Sequence, residues 1–345
     1  MIQVNNVWKI FGDRGYEALA AIKDQNLSKA QVLDQFNCVV GVADTSLDIQ
    51  EGEIFCVMGL SGSGKSTLVR HFNRLLEPTE GEIIIDGVNV MKLNAADLQK
   101  FRNERIGMVF QNFALMPHRS VLDNVAMPLE IRGIGKNERL QQASEVLEIV
   151  ELSAWGNKFA HELSGGMQQR VGLARAISAN PDVLLMDEPF SALDPLIRRQ
   201  LQDEFIKLSK QLRKTTVFIT HDLDEAVRIG DRIAIMKDGV VDQIGTAEEI
   251  IMNPKTEYVA NFVAGISRLK VVKAHAIMNP VQKTAQTKPK KSDAVVVDVD
   301  ATLTEIIEKS IAKKGDVLVQ DKEKIIGIIN QTDILKTVIE GTETS

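Results

Sequence analysis

Apolar and polar residues alternate over short stretches of this chain and recur at helical spacing over longer ones. Short, nearly unbroken apolar runs predict buried strands; these are Ile54–Met58, Ile106–Phe110, Val183–Met186 and Thr216–Thr220. Apolar residues three and four positions apart predict amphipathic helices, of which the longest are Asn137–Val150 and Pro195–Leu212. Strands alternating with helices are typical of an α/β domain with a parallel sheet, and the pattern from Ser120 to Ala179 predicts a helical insert.

Two Asp-Gly turns predict β-hairpins. Asp86-Gly87 separates Glu82–Ile85 from Val88–Met91, and this dipeptide favours a type I′ turn. Asp238-Gly239 lies between two further strand-like stretches, residues 232–236 and 240–244. Strand-like alternation also marks residues 2–10 and 41–49. The residues between these, about 12–41, look inserted, and a capping-box pattern at Ser28 and Gln31 predicts a short helix there.

The amino-acid composition of the chain changes after residue 265. Residues 266–292 combine two prolines with six lysines, which predicts a solvated, basic linker; the lysines are Lys270, Lys273, Lys283, Lys288, Lys290 and Lys291. A basic patch that contacts anionic lipid is the alternative. Residues 293–345 have a predicted β-α-β-β-α order. A unit this small buries too little apolar surface to be stable alone, so we expect it to pair with another surface.

Composition narrows the class of protein. The 345 residues are 26% charged and 44% hydrophobic, and the formal net charge is −6. An acidic balance argues against a general nucleic-acid binder, so we expect no nucleic acid partner. Because no apolar run is long enough to span a bilayer and residues 1–4 enter a strand-like pattern, we expect neither a membrane span nor a signal peptide. Cys38 and Cys56 follow no metal-ligand spacing, which favours a reducing, intracellular compartment.

The strongest chemical signal is a glycine-rich turn that follows the first apolar run. Residues Gly59–Ser66 match G-x-x-x-x-G-K-[ST] at every fixed position. Backbone N–H groups of such a turn surround phosphate oxygens, and the N-terminus of the following helix attracts anions. Lys65 can reach the terminal phosphates and Ser66 can ligate Mg²⁺. The turn therefore predicts a nucleoside triphosphate site, with the candidate ligands Gly59, Leu60, Ser61, Gly62, Ser63, Gly64, Lys65, Ser66 and Thr67.

Polar or aromatic side chains end several other predicted strands. Asp187 is suited to hold Mg²⁺ and Glu188 to orient and polarise water, although a surface acidic pair that closes a strand is the alternative. His221 is a candidate γ-phosphate contact, because α/β sheets collect ligands at the carboxyl ends of their strands. Gln111 could hydrogen-bond water or the ligands of Mg²⁺. Phe11 could stack on a nucleobase or belong to the core.

A second glycine-containing turn, Leu163–Arg170, also enters a helix. Its helix N-terminus is another anion site, yet one triphosphate does not need two such sites from one chain. A symmetric dimer resolves this, because the turn of one subunit can complete the phosphate loop of its partner. We therefore expect a second copy of the chain as a partner.

Taken in order, these segments resemble the ATPase subunit of an ABC transporter. The resemblance covers residues 1–265 and rests on GLSGSGKST (Gly59–Thr67), Gln111, LSGGMQQR (Leu163–Arg170), LLMDEP (Leu184–Pro189), SALD (Ser191–Asp194) and His221. It implies an α/β P-loop ABC ATPase domain with a RecA-like core, an antiparallel β subdomain and a helical subdomain at about residues 112–180. It also implies that ATP and Mg²⁺ bind and that ATP hydrolysis is coupled to transport.

The resemblance also implies roles for single residues. Its catalytic set is Glu188, His221, Lys65 and Gln111, and its Mg²⁺ ligands are Ser66, Gln111 and Asp187. Phe11 falls at the position of the aromatic residue that stacks on adenine. The second glycine turn supplies Ser164, Gly165 and Gly166 to the γ-phosphate bound by the opposite subunit. The remaining ATP contacts that it implies are Gln168 and Asp194.

The inserted stretch narrows the resemblance further. Phe11 and Gly59 lie 48 positions apart, more than in most such ATPases, and LSKAQVLDQF between them resembles the insertion of glycine betaine/proline betaine uptake ATPases. NFALMPH, FSALDPLIR and HDLDEAVRIGDRIAIMKDG resemble the same group. The implied cargo is a quaternary amine such as glycine betaine, proline betaine or choline. Histidine or another amino acid is the alternative, and an ABC-type protein acting on ribosomes or DNA is a rival of another class.

The implied partners are a second copy in a head-to-tail dimer that sandwiches ATP, an integral membrane permease and, indirectly, a periplasmic or lipid-anchored substrate-binding protein. The implied location is the cytoplasmic face of the inner membrane, where the chain is peripheral.

Residues 293–345 resemble a single CBS motif, through GIINQTDIL at Gly327–Leu335. Related tails carry two such motifs, so we expect the single motifs of two subunits to pair. Asn330 stands where nucleotide-binding motifs carry Thr or Ser, whereas Asp333 keeps the acidic position. Whether this unit binds a nucleotide or senses ionic strength stays open, and a chain that is mainly an adenine-nucleotide sensor is a further alternative.

Overall fold

The structure is a computed structural model, and the residues it describes are 1–280, 295–312, 316–322 and 324–340. The chain divides into two compact units, Met1–Ile244 and Gly245–Ser345, each with its own hydrophobic core. Among the described residues, we find no helix that combines the length and the apolar character needed to cross a bilayer.

The strands of the first unit form two sheets. They are β1 (Ile2–Phe11), β2 (Val39–Ile49), β3 (Ile54–Met58), β4 (Glu80–Ile85), β5 (Val88–Asn89), β6 (Ile106–Val109), β7 (Val183–Asp187), β8 (Thr215–Thr220), β9 (Arg232–Lys237) and β10 (Val240–Gly245). Six of them lie in the order β10-β9-β3-β8-β7-β6, and β3, β6, β7, β8 and β9 run parallel. The predicted parallel sheet is confirmed. Every residue of β3 is buried, which gives the loop at its carboxyl end a rigid support.

Strands β1, β2, β4 and β5 form the second, antiparallel sheet. Asp86 and Gly87 turn the chain with φ of 47° and 78°, the pair of positive values that the predicted type I′ turn requires. The second strand of this hairpin is shorter than predicted. The side chain of Asn89 accepts a hydrogen bond from the Met91 N–H, and residues 90–92 form a 3₁₀ turn instead.

The longer helices of the first unit are α1 (Gly15–Gln25), α2 (Lys29–Phe36), α3 (Lys65–Phe72), α4 (Ala95–Arg105), α5 (Val121–Ile131), α6 (Lys136–Ile149), α7 (Gly165–Ser178), α8 (Pro195–Leu212) and α9 (Leu223–Ile229). Helices α5, α6 and α7 share a core that includes Val125, Leu147 and Val171. They occupy the stretch for which a helical subdomain is expected. The parallel sheet and α3 share a second core, whose largest side chains include Phe55 and Phe72.

The inserted stretch contains two helices, of which only one was predicted. Ser28 and Gln31 form the predicted capping box at the start of α2. Helix α1 lacks such a signal, because its N-cap residue Arg14 makes no side-chain capping hydrogen bond. It is held instead by burial of Ala18 and Leu19 in a small core.

The second unit joins short helices to a four-stranded sheet. Its elements are α10 (Ala247–Met252), α11 (Glu257–Val263), α12 (Arg268–Val271), α13 (Ala274–Ile277), β11 (Asn279–Pro280), β12 (Val295–Asp298), α14 (Leu303–Ala312), β13 (Val317–Asp321), β14 (Lys324–Ile329) and α15 (Gln331–Glu340). The sheet order is β11-β14-β13-β12, with β12 and β13 parallel and the other neighbours antiparallel.

Part of the stretch predicted as a solvated linker is folded. Residues 268–280 form α12, α13 and β11, and Leu269, Ala274, Ile277 and Met278 join the core of the second unit. The lysines suggested solvation, but the apolar residues between them pack against the sheet. The C-terminal elements thus find part of the covering surface that their size requires within their own chain. Residues 281–292 of the predicted linker lie outside the described residues.

Candidate nucleotide-binding and hydrolysis site

The phosphate loop, Gly59–Ser66, leaves the carboxyl end of β3 and enters α3. Gly59 and Gly64 have φ of 151° and 97°, conformations that residues with side chains rarely adopt. A Cβ atom on Gly59 would lie 2.2 Å from the Met236 carbonyl oxygen, and one on Gly64 would lie 2.3 Å from that of Gly41. Glycine is required at both positions because the neighbouring backbone leaves no room for a side chain.

Lys65 lies beneath this loop and is 6% exposed. Its ammonium group donates hydrogen bonds to the carbonyl oxygens of Gly59 (2.9 Å) and Leu60 (3.1 Å). Burial lowers the pKa of Lys65, and the two acidic side chains at the end of β7 oppose that shift. The buried Ser63 hydroxyl has no hydrogen-bond partner among the described residues. A loop with a buried ammonium and an unpaired hydroxyl fits the phosphate oxygens of a nucleotide.

Ser66 and Asp187 meet beside the loop. The Ser66 hydroxyl donates to Asp187 Oδ1 at 2.9 Å, and Arg70 Nη2 lies 3.8 Å from Oδ2. Mg²⁺ typically takes few protein oxygens and completes its shell with water and phosphate oxygens. The pair fits such an ion. Among the described residues, no cluster of three or more His, Cys, Asp and Glu side chains offers a different metal site.

Glu188 and His221 face each other across the ends of β7 and β8. His221 Nδ1 lies 3.0 Å from Glu188 Oε2. Parallel pairing sets Asp187 opposite Ile219, so the residues that follow the two strands emerge side by side. Glu188 has φ of 48°, a left-handed conformation that costs about 1 kcal/mol for a residue with a Cβ atom. Backbone strain of this kind is concentrated at functional sites.

The phosphate loop, Glu188 and His221 line an open cleft of about 680 Å³. Its apolar wall contains Val39 and Val40 beside Phe11. Phe11 is 39% exposed, and Lys9 Nζ lies 5.2 Å from the centre of its ring. Of the two interpretations of Phe11, the structure therefore favours the cleft over the core. The predicted contacts that line the cleft are Phe11, Leu60, Ser61, Gly62, Gly64, Lys65, Ser66, Thr67, Glu188 and His221.

The other predicted contacts do not line this cleft. Gln111 is exposed in the turn after β6. Ser164 caps α7, of which Gly165 and Gly166 are the first residues, and Asp194 caps α8 by accepting from the Ile197 N–H. Gln168 Nε2 donates to the Leu163 carbonyl at 3.1 Å. The structure of one chain therefore brings together the phosphate loop, Glu188 and His221, but not the second glycine turn.

Sequence reasoning missed Val39 and Val40 in the lining of the cleft, and it missed one contact that supports the phosphate loop. Val39 and Val40 follow the inserted helices, and no motif marks them. The Asp238-Gly239 signal predicted a turn, but not that the Gly239 N–H donates to the Ser63 carbonyl at 2.9 Å. That contact depends on the sheet order, which sets β9 beside β3.

Comparison with known proteins identifies the family. The family model described as "ABC transporter" matches residues 42–191. The glycine betaine/proline betaine transport system ATP-binding protein ProV of Escherichia coli (strain K12) is 47% identical over 343 residues, which are 98% of this chain and 82% of that protein. The chain belongs to the ATP-binding proteins of ABC transporters. The family that the motifs indicated is confirmed.

Two further similarities to ABC proteins agree. The trimethylamine N-oxide transport system ATP-binding protein TmoW of Pelagibacter ubique (strain HTCC1062) is 43% identical and covers 98% of this chain and 97% of that protein. A dimeric, post-hydrolysis ATP-binding cassette bound to ADP and Pi matches with a TM-score of 0.60 at 34% identity, covering 72% of this chain and 99% of that one. The "CBS domain" family model matches residues 290–340. The predicted ABC ATPase fold and C-terminal CBS motif are confirmed.

We expect Phe11→Ala to weaken ATP binding by about tenfold, because the stacking of a base on an aromatic ring is lost. Equilibrium titration with a fluorescent ATP analogue measures the change. Phe159→Ala is the matched control, since Phe159 is 38% exposed in the helical part of the unit and does not line the cleft. Equal affinity in the two variants would show that Phe11 does not contact the base.

Glu225 in α9 is expected to make stability depend on pH. It is 5% exposed, and burial raises the pKa of its carboxyl against opposing hydrogen bonds from Thr220 and Gln202. The folded state therefore binds this proton more tightly than the unfolded state. The stabilisation is fully present below the ordinary pKa of glutamate and is lost as pH rises through the raised pKa.

Glu225→Gln removes this titration, so its stability relative to the wild type is expected to improve from acidic to mildly alkaline pH. Urea denaturation at both pH values measures the difference. Glu148→Gln changes an exposed glutamate and is the control. A Glu225→Gln difference that stays constant with pH would contradict the expectation.

Proposed function

We propose that this chain is the ATP-hydrolysing subunit of an ABC importer of quaternary amine osmolytes, such as glycine betaine, proline betaine or choline. The observation that carries the proposal is the cleft in which the phosphate loop and the Glu188–His221 pair converge beside the Ser66–Asp187 pair. ATP hydrolysis needs groups that bind phosphate, neutralise its charge and position water, and these pairs supply them. Because the chain belongs to the ATP-binding proteins of ABC transporters, we infer that this hydrolysis is coupled to transport.

Different parts of the chain hold different parts of the nucleotide. N–H groups of the phosphate loop and the ammonium of Lys65 bind the phosphates, and the Phe11 ring stacks on adenine. Ser66 and Asp187 would hold Mg²⁺, with Gln111 as a further ligand. The ion, when bound, neutralises charge on the β- and γ-phosphates.

Glu188 orients and polarises the attacking water. Its side chain is 19% exposed, so the carboxylate can reach a water in the cleft while His221 Nδ1 keeps it in place. His221 contacts the γ-phosphate, and Lys65 stabilises the charge that spreads over the phosphoryl group during transfer. The chain's contribution is therefore mainly electrostatic and positional.

The second glycine turn acts on the nucleotide of a second copy. Ser164, Gly165 and Gly166 do not line the cleft of their own chain, yet they begin a helix whose N-terminus attracts anions. The dimeric cassette bound to ADP and Pi supports a pair of chains as the working unit. Two chains arranged head to tail sandwich ATP between them, with Gln168 and Asp194 at the same seam.

The remaining partners are inferred from the relatives. ProV and TmoW are named as ATP-binding proteins of transport systems for betaines and for trimethylamine N-oxide, which favours methylated amines over histidine as the cargo. An integral membrane permease moves the cargo, and the region after Gln111 transmits dimer closure to it. A periplasmic or lipid-anchored substrate-binding protein delivers the cargo. The chain works peripherally, at the cytoplasmic face of the inner membrane.

Uptake of radiolabelled glycine betaine, choline and histidine tests the proposal. Cells that lack the chain are complemented with the wild type or with Glu188→Gln. Uptake of betaine or choline is expected to return only with the wild type. If the wild type restores histidine uptake instead, the proposed quaternary amine cargo is wrong. If the Glu188→Gln variant restores uptake, ATP hydrolysis that depends on Glu188 is not the energy source.

A further inference from the structure

Arg198, in the first turn of α8, contacts the backbone that follows Glu188. Its Nε donates to the Phe190 carbonyl at 3.2 Å, and its Nη2 donates to the carbonyls of Leu193 at 3.1 Å and Ser191 at 3.4 Å. The segment is tied to Glu188 itself, because the Ser191 N–H (3.3 Å) and hydroxyl (2.9 Å) both donate to the Glu188 carbonyl. The guanidinium thus fixes the turn from which the Glu188 side chain projects.

The same guanidinium also reaches the segment that follows His221. Arg198 Nη1 lies 3.5 Å from Asp222 Oδ2. Asp222 caps α9 by accepting a hydrogen bond from the Glu225 N–H at 3.1 Å. One helical turn further along α8, Gln202 Nε2 donates to Glu225 Oε1 at 2.9 Å. One face of α8 therefore holds the start of α9. It thereby also fixes the backbone of His221, the residue before the Asp222 cap.

We propose that Arg198 is a positioning residue for ATP hydrolysis. It holds the turn that carries Glu188 and the segment that carries His221 in a fixed position relative to each other. The inference rests on the proposed roles of Glu188 and His221. Each side chain belongs to a separate segment, and their 3.0 Å contact requires both segments to be placed correctly. A guanidinium suits this task, because its rigid planar fork presents five N–H donors to several acceptors at once.

The test is steady-state ATP hydrolysis and equilibrium ATP binding by the purified full-length protein. Arg198→Ala is expected to lower kcat by about 10- to 100-fold, because a small displacement of reacting groups has effects of that size. ATP affinity is expected to stay at the wild-type value, since Arg198 does not line the cleft. Arg198→Lys keeps the positive charge but loses the planar fork of N–H donors. Its kcat is therefore expected to lie between those of the wild type and Arg198→Ala.

Arg199→Ala is the matched control, because it makes the same chemical change at an exposed neighbouring position, and wild-type kcat is expected. A role that is only structural predicts a lower melting temperature with kcat unchanged in the folded fraction. Wild-type kcat in folded Arg198→Ala, a parallel loss of ATP affinity, or an equal loss in Arg199→Ala would each overturn the inference. If Arg198→Ala does not fold, a folded Arg198→Lys with wild-type kcat overturns it.

Glu188→Gln, measured in parallel, separates this inference from the proposed function. Hydrolysis that survives in Glu188→Gln removes the proposed role of Glu188 itself. Hydrolysis lost in Glu188→Gln but unchanged in Arg198→Ala leaves the proposed function in place and removes only the positioning role.

Discussion

Replacing Glu188 with glutamine is expected to lower ATP turnover by about 10²- to 10⁴-fold while ATP binding is retained. The amide keeps the shape of the side chain and its place opposite His221, but it cannot accept a proton from the attacking water. Phosphate release measures turnover, and equilibrium titration of an ATP analogue measures binding. With hydrolysis blocked, the ATP-bound protein is also expected to accumulate as a dimer, which size-exclusion chromatography with light scattering detects.

Glu148→Gln is the control for this prediction, because it makes the same change on the exposed face of α6. Wild-type turnover is expected for it. Substantial hydrolysis in Glu188→Gln would show that another group positions the water. A strictly monomeric Glu188→Gln protein with ATP bound would contradict the shared site between two copies.

Replacing Lys65 with alanine is expected to weaken ATP binding by about 10- to 100-fold, the effect of losing a hydrogen bond from a charged group. The ammonium lies beneath the phosphate loop, is 6% exposed and already donates to two loop carbonyls. Its loss removes a positive charge that faces the phosphates and takes one hydrogen bond from each of those carbonyl oxygens. Isothermal titration with ATP and Mg²⁺ measures the affinity.

Lys100→Ala makes the same change on the exposed surface of α4 and is expected to bind ATP as the wild type does. Thermal unfolding without nucleotide shows whether the phosphate loop of Lys65→Ala remains folded. An unchanged affinity in folded Lys65→Ala would mean that the backbone N–H groups of the loop carry the binding alone.

The features that could be predicted from the sequence are those whose conformation depends on residues close by in the chain. The glycines of the phosphate loop stand out because strand, turn and helix are contiguous there. The cap at Ser28 was predictable for the same reason, since a capping bond spans only a few residues. The Asp86-Gly87 turn belongs to this group, because its positive φ values favour these two residue types.

The features that sequence reasoning missed depend on contacts between distant segments. Helix α1 has no side-chain cap and is held by burial in a core shared with α2 and β2. Residues 268–280 looked solvated because of their lysines, but the apolar residues among them pack on the C-terminal sheet. The contacts of Arg198 were equally hidden, since an arginine in an amphipathic helix has no local sign of what it binds.

By itself, the sequence determined the α/β alternation, the phosphate loop with Lys65 and Ser66, and the identities of Glu188 and His221 as candidates, because each depends on adjacent residues. Only the tertiary structure decided that Glu188 and His221 lie 3.0 Å apart and that Ser66 meets Asp187. The reason is that parallel pairing of β3, β8 and β7 brings residues more than a hundred positions apart to one edge of the sheet. Strand order is a property of the packed chain, and no local pattern specifies it.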